Sequence, residues 1–96
     1  MKIFIKDLVS DTYSNASGYQ LYLALKSDLM QGKVIHLSFL GATSPSTSFL
    51  NSSFGTLIED LGLENFLAQI KPAEVTQTQA KMLKHYIEGF RSGAKA

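Results

Sequence analysis

The sequence predicts a small single-domain α/β protein, with a mixed or parallel sheet of three to four strands and about three helices packed on it. Three observations lead there. Apolar residues alternate with period two at the N-terminus, fill one short central run, and recur every three to four residues in three longer stretches. Strand-like and helix-like segments therefore take turns along the chain, the order that builds a sheet with helices on it. A length of 96 residues leaves room for one core only. With 45% hydrophobic and 18% charged residues, the chain has enough apolar surface to bury one.

Residues 2–7 alternate, Ile3 and Ile5 against Lys2, Phe4 and Lys6, which predicts a half-buried first strand. Residues 8–17 are rich in Ser, Asp, Asn and Thr and read as a loop with room for a short extra strand. A helix is predicted over Tyr19 to Met30, with Leu21, Leu25 and Leu29 spaced by four and Gly32 as its stop. The run Val34 to Leu40 is short, mostly apolar and bounded by Gly32 and Gly41. It reads as a central strand buried on both faces, with His36 a hydrogen-bonded core or near-surface residue. After a polar loop from Gly41 to Ser46, the spacing of Phe49, Leu50, Phe54, Leu57, Ile58 and Leu61 predicts an amphipathic helix that ends at Gly62.

Leu63 to Leu67 reads as a short turn, and Ala68 to Val75 as a weak strand. Pro72 lacks an N–H, so that strand is placed at an edge. Thr76-Gln77-Thr78-Gln79 has the form of a capping box, opening a last helix with Ala80, Leu83, Ile87 and Phe90 on its buried stripe. Residues 92–96 are expected to fray, and the whole of 1–96 is read as one domain.

Composition narrows the function. Nine Lys and Arg against eight Asp and Glu give a net charge of +1, too little field to draw the chain onto nucleic acid or an anionic membrane. Lys81, Lys84, His85, Arg91 and Lys95 make a thin basic stripe that reads as a solvated helix face. There is no cysteine, so thiolate chemistry and cysteine-ligated metals are excluded, and His36 and His85 leave little for any metal centre. No apolar run approaches the roughly 20 residues of a membrane span, and the N-terminus lacks the apolar stretch of a signal peptide. A cytoplasmic protein without cofactor is expected. No Gly-x-Ser-x-Gly elbow accompanies the histidines, and the carboxylates show no paired spacing, so no catalytic residue is assigned.

One segment calls for a functional account. Between Thr43 and Thr56, eight of fourteen residues carry a hydroxyl, and they sit where the central strand ends and a helix begins. That edge is where open α/β sheets present their sites. One of Ser46, Thr47 or Ser48 must cap the helix. Another hydroxyl there is placed to accept a phosphate, whose charge of about −2 a helix start tolerates and a partner surface would feel.

The run Val34-Ile35-His36-Leu37-Ser38-Phe39-Leu40-Gly41-Ala42-Thr43-Ser44-Pro45-Ser46-Thr47-Ser48-Phe49-Leu50-Asn51, then Phe54-Gly55, resembles a small STAS-like family of unknown function. The Ser14 to Gly18 loop and the Leu61-Gly62-Leu63-Glu64 and Lys71 region share the resemblance, which spans nearly the whole chain. The wider STAS group includes bacterial anti-sigma factor antagonists. In these an Asp-Ser-Ser-Gly-Leu motif opens the corresponding helix, and a kinase with a histidine-kinase-like ATPase fold phosphorylates the first Ser of that motif. Laid on this chain, the motif falls on Ser46 to Leu50 and implies Thr47, with Ser48 beside it, as phosphoacceptor. The chain departs from the pattern at Ser46, where the motif has Asp, at Phe49, where it has Gly, and at Ser38, where the STAS-like family has a strand Asp.

The resemblance implies a non-catalytic regulatory module that binds a protein partner, such as a serine kinase of that ATPase type. Ser44, Pro45, Ser46, Phe49 and Leu50 are expected in its interaction loop, and Ser14 and Gly18 in a second one. Tyr13, Tyr19 and Tyr22, clustered near that second loop, suit either an interface or helix packing. The alternative is a structural domain that self-associates as a homodimer through the open edge at Pro72.

Overall fold

The computed structural model describes residues 1–91. The 92–96 tail, with Lys95 of the basic stripe, lies outside the described residues. In chain order the elements are β1 (Lys2–Phe4), α1 (Ile5–Leu8), α2 (Asn15–Met30), β2 (Ile35–Ser38), α3 (residues 47–61), α4 (Leu63–Gln69), β3 (Ile70–Ala73) and α5 (Gln77–Arg91). Among the described residues the sheet has three strands in the order β1-β2-β3, and both pairings are parallel, so there the mixed alternative and the fourth strand fall away. The described residues hold five helices rather than three, because two short ones occupy stretches whose pattern predicts strand and turn.

The first of these is α1. Alternation across Ile3 and Ile5 suits a strand, but Ile5 and Val9 are also four residues apart and both enter the core, which is helical spacing. The chain leaves the sheet at Phe4, and Val9 N–H closes the turn on the Ile5 carbonyl. The second is α4, where Leu63 to Gln69 forms two turns that bury Phe66 edge-on against Phe54, with ring centroids 5.2 Å apart. Gly62, at φ +84, makes the corner between α3 and α4 in a conformation that favours glycine.

Helix α2 starts four residues before Tyr19. Ser14 is its N-cap, its Oγ accepting from Ser17 N–H at 3.2 Å, so the polar run read as loop is the first helical turn. Its end is as predicted. Gly32 N–H bonds to the Leu29 carbonyl and Lys33 N–H to that of Asp28, the two bonds of a Schellman ending with Gly32 at φ +81. Leu21, Leu25 and Leu29 are all buried, each contributing about 1.5–3 kcal/mol by leaving water.

Helix α3 runs from Thr47 to Leu61 without a break, but Asn51–Gly55 is wound as one π turn between two α segments, Thr47–Leu50 and Thr56–Leu61. A Cβ on Gly55 would lie 2.7 Å from the Tyr86 hydroxyl of α5, and that hydroxyl donates to Asn51 Oδ1 at 2.8 Å. The widened turn thus lies under α5. The Thr76/Gln79 capping box forms in both directions, and Gln79 Nε2 also donates to the Ala42 carbonyl at 2.9 Å. The buried residues of α5 are Gln79, Leu83 and Tyr86, whereas Ala80 is exposed and Ile87 and Phe90 only half-buried. Its stripe is rotated from the expected one because Gln79, satisfied on every side, goes in.

Strand β2 is buried on both faces only at its end. Ile35 and Leu37 enter the core that α2 and α3 fill, while on the opposite face His36 is exposed and Ser38 is buried. On β3, Ala73 turns its carbonyl to Phe39 N–H, so Lys71 and Ala73 bond to β2 while Pro72 faces the open edge. Its missing N–H costs no ladder bond and leaves that edge without a donor at mid-strand. No helix of the described residues is long and apolar enough to cross a membrane.

Candidate functional site

The chain leaves β1 and β2 at the same end of the sheet, and the loops that follow are stitched together by hydroxyls. Thr12 is buried, and its Oγ1 meets the Thr43 hydroxyl at 2.6 Å and the Thr43 carbonyl at 3.1 Å. Ser46 N–H bonds to the Thr12 carbonyl at 3.0 Å, and Ser46 Oγ donates to the Tyr13 carbonyl at 2.7 Å while accepting from Phe49 N–H at 3.1 Å. Ser46 is therefore the N-cap of α3 and its rivet to the first loop. Asp11 organises that first loop, accepting from the N–H groups of Tyr13 and Ser14. These bonds, that from Ser14 foremost, hold its carboxyl below the usual carboxylate range. Between the loops lies a cleft of about 160 Å³, lined in part by Lys6, Asp11, Thr12, Gly41 and Thr43.

Against this frame the eight hydroxyls separate into two groups. Thr43 and Ser46 join the loops, Ser52 donates to Asn15 Oδ1 on α2, Ser53 donates to the Phe49 carbonyl, and Thr56 to that of Asn51. Ser44, Thr47 and Ser48 are exposed, and their hydroxyls have no hydrogen bond among the described residues. Thr47 and Ser48 are the first two residues of α3, where the N–H groups are unpaired and the helix dipole is positive.

The neighbouring residues are not presented in the same way. Pro45, Phe49, Leu50 and Gly18 were expected to contact a partner and are instead buried. Phe49 and Leu50 lie on the core side of the first turn, and Pro45 packs beneath the loop. A Cβ on Gly18 would lie 2.5 Å from the Phe49 carbonyl oxygen, so this glycine allows α2 to press against the start of α3. Ser14 is occupied as the α2 cap. Tyr13 and Tyr19 are exposed, while Tyr22 packs against α3 and donates to Asp60.

Two features of the site escaped the sequence reading. Thr12 carries no motif, and its role follows only from where the two loops meet. Glu74 is among the carboxylates that show no paired spacing in the sequence. It adopts φ +56, uncommon for a residue with a side chain, accepts a short hydrogen bond from Ser38 Oγ, and lies 2.8 Å from Lys2 Nζ. Lys2 above all, and Ser38 next, hold its carboxyl below the ordinary value. Ser38, where the related pattern has Asp, thus has a carboxylate brought to it from the end of β3. Among the described residues no group of three or more His, Cys, Asp or Glu is placed to hold a metal ion.

The fold and this edge define a class: a small parallel α/β domain that offers a hydroxyl-bearing helix start at the carboxyl end of its sheet. The model of one protein family, the STAS-like domain of unknown function (DUF4325), matches residues 17–80, and the chain belongs to that family. No curated protein and no solved structure matches it.

Proposed function

We propose that this domain is a non-catalytic regulatory module that binds a protein partner through the start of α3 and is switched by phosphorylation at Thr47 or Ser48. One observation carries the reading. The residue before them, Ser46, is locked into the fold by three hydrogen bonds, whereas Thr47 and Ser48 are exposed and their hydroxyls have no hydrogen bond among the described residues. A phosphate there would add about two negative charges beside unpaired N–H groups, a stable place for it within the domain. A partner docked on Ser44, Thr47 and Ser48 would meet that charge at close range. By the resemblance to anti-sigma factor antagonists, the modifying enzyme is a serine kinase with an ATPase-type fold.

The experiment is mass spectrometry of the chain isolated from its own cells across growth phases. One phosphate on Thr47 or Ser48, abolished in the Thr47→Ala/Ser48→Ala double variant, supports the switch. A chain never phosphorylated, or phosphate that persists in the double variant, rejects it. Self-association through the β3 edge has less in its favour, because Pro72 removes the donor that a second copy would need there.

A further inference from the structure

All-parallel sheets are found almost only with both faces covered, yet this one has helices on one face alone among the described residues. On the other, the register aligns Lys2, His36 and Lys71 in one row across the three strands, and all three are exposed. Val34, two residues before His36, is 42% exposed, and Leu40, just past the end of β2, is 49% exposed. The next row, Phe4, Ser38 and Ala73, is covered by the protein's own side chains: Ser38 is buried, Phe4 and Ala73 are half-buried, and the ammonium groups of Lys2 and Lys6 lie 5.2 and 5.7 Å from the Phe4 ring centre, so the open part of the face is the Lys2–His36–Lys71 row.

We infer that this open face is a second docking surface, distinct from the start of α3, and that its occupant is an acidic amphipathic helix of a protein partner. Charge selects the occupant. Lys2, Lys6 and Lys71 against Glu74 alone leave the face at +2, so a second copy laid on it would oppose lysine to lysine. Width agrees: from β1 to β3 is two interstrand spacings of about 4.8 Å, the breadth of one helix of about 10–12 Å. Val34 and Leu40 ask for aliphatic side chains between the acidic ones. A nucleic-acid strand would need free ring faces to stack on, and both ammonium groups are already placed over Phe4. Strands of three to four residues, at about 3.3 Å per residue, span far less than the roughly 800 Å² per partner of a stable interface, which makes the contact a weak, exchanging one.

The test is an NMR titration of the full chain with a synthetic amphipathic helix bearing Glu on one face and Leu on the other, alongside its Lys-for-Glu counterpart. The expected result is that the acidic peptide alone shifts the amides of Lys2, Phe4, His36 and Lys71. Lys2→Glu/Lys71→Glu should weaken it about tenfold or more, and so should His36→Glu, which leaves the Lys2–Glu74 pair in place. Four results would overturn the inference. These are no shifts, shifts centred on residues 43–50 or on the groove between β3 and α5 lined by Pro72, Val75, Leu83 and Ile87, equal binding of the basic peptide, and displacement by a single-stranded RNA oligomer. Shifts of the same amides on simple dilution would make a second copy the occupant instead. None of these outcomes depends on whether Thr47 or Ser48 is modified.

Discussion

Replacing Gly18 with alanine should destabilise the protein, although Gly→Ala inside a helix ordinarily stabilises by about 1 kcal/mol. Gly18 lies in the first turn of α2, and its φ is not unusual, so alanine incurs no backbone strain. The cost is steric. The new Cβ would lie 2.5 Å from the Phe49 carbonyl oxygen and 2.8 Å from Ser52 Cβ, distances that real Cβ atoms do not adopt. The nearer atom is backbone in the first turn of α3 and cannot rotate away, so α2 and α3 must separate. Overpacking of this kind costs about 1–3 kcal/mol, and a clash with backbone belongs at the upper end. Subtracting the helix-propensity gain leaves a net loss of about 2 kcal/mol, or a Tm lower by about 8–16 °C for a domain of this size. Urea denaturation followed by far-ultraviolet circular dichroism measures it. A Gly18→Ala protein as stable as the parent, or more so, would refute the close approach of α2 to α3 and the positioning of Thr47 and Ser48 that rests on it.

Ser46→Ala should lose about 1–2 kcal/mol, because it removes both the α3 cap and the bond to the Tyr13 carbonyl. Thr47→Ala and Ser48→Ala should each change stability by less than about 0.5 kcal/mol in the same assay. Two pH limits follow from the shifted groups. Burial pushes the Tyr86 phenol up to about 12, so the neutral form belongs to the folded state. The stability it contributes is present below about pH 10 and lost as pH rises through about 12. Tyr86→Phe should soften that alkaline loss, read as the pH dependence of the unfolding midpoint. Glu74 is shifted the other way. Its contribution is present above the usual carboxylate pKa and lost as pH falls through the lower value it has when folded, so Glu74→Gln should flatten the acid limb.

The sequence by itself determined the local chemistry. The leucine stripe of α2, the glycine endings at Gly32 and Gly62, the Thr76/Gln79 capping box and the hydroxyl-rich entry to α3 all rest on interactions within a few residues, which composition and spacing encode directly. Where a residue had two lawful partners, the local pattern was silent. Ile5 satisfies both strand and helical spacing, and the tertiary core at Val9 decided for the helix. Ser46, Thr47 and Ser48 were equal candidates for the cap, and only the arrival of the Tyr13 carbonyl from another loop selected Ser46 and left the other two exposed. Position in the sheet was likewise beyond the local pattern. An apolar run flanking His36 looks buried on both sides, and whether a second layer covers the strand depends on where distant helices pack. Contacts over long separations, such as Ser38 with Glu74 or Gly18 with Phe49, arise from topology, and a single sequence carries no short-range sign of them.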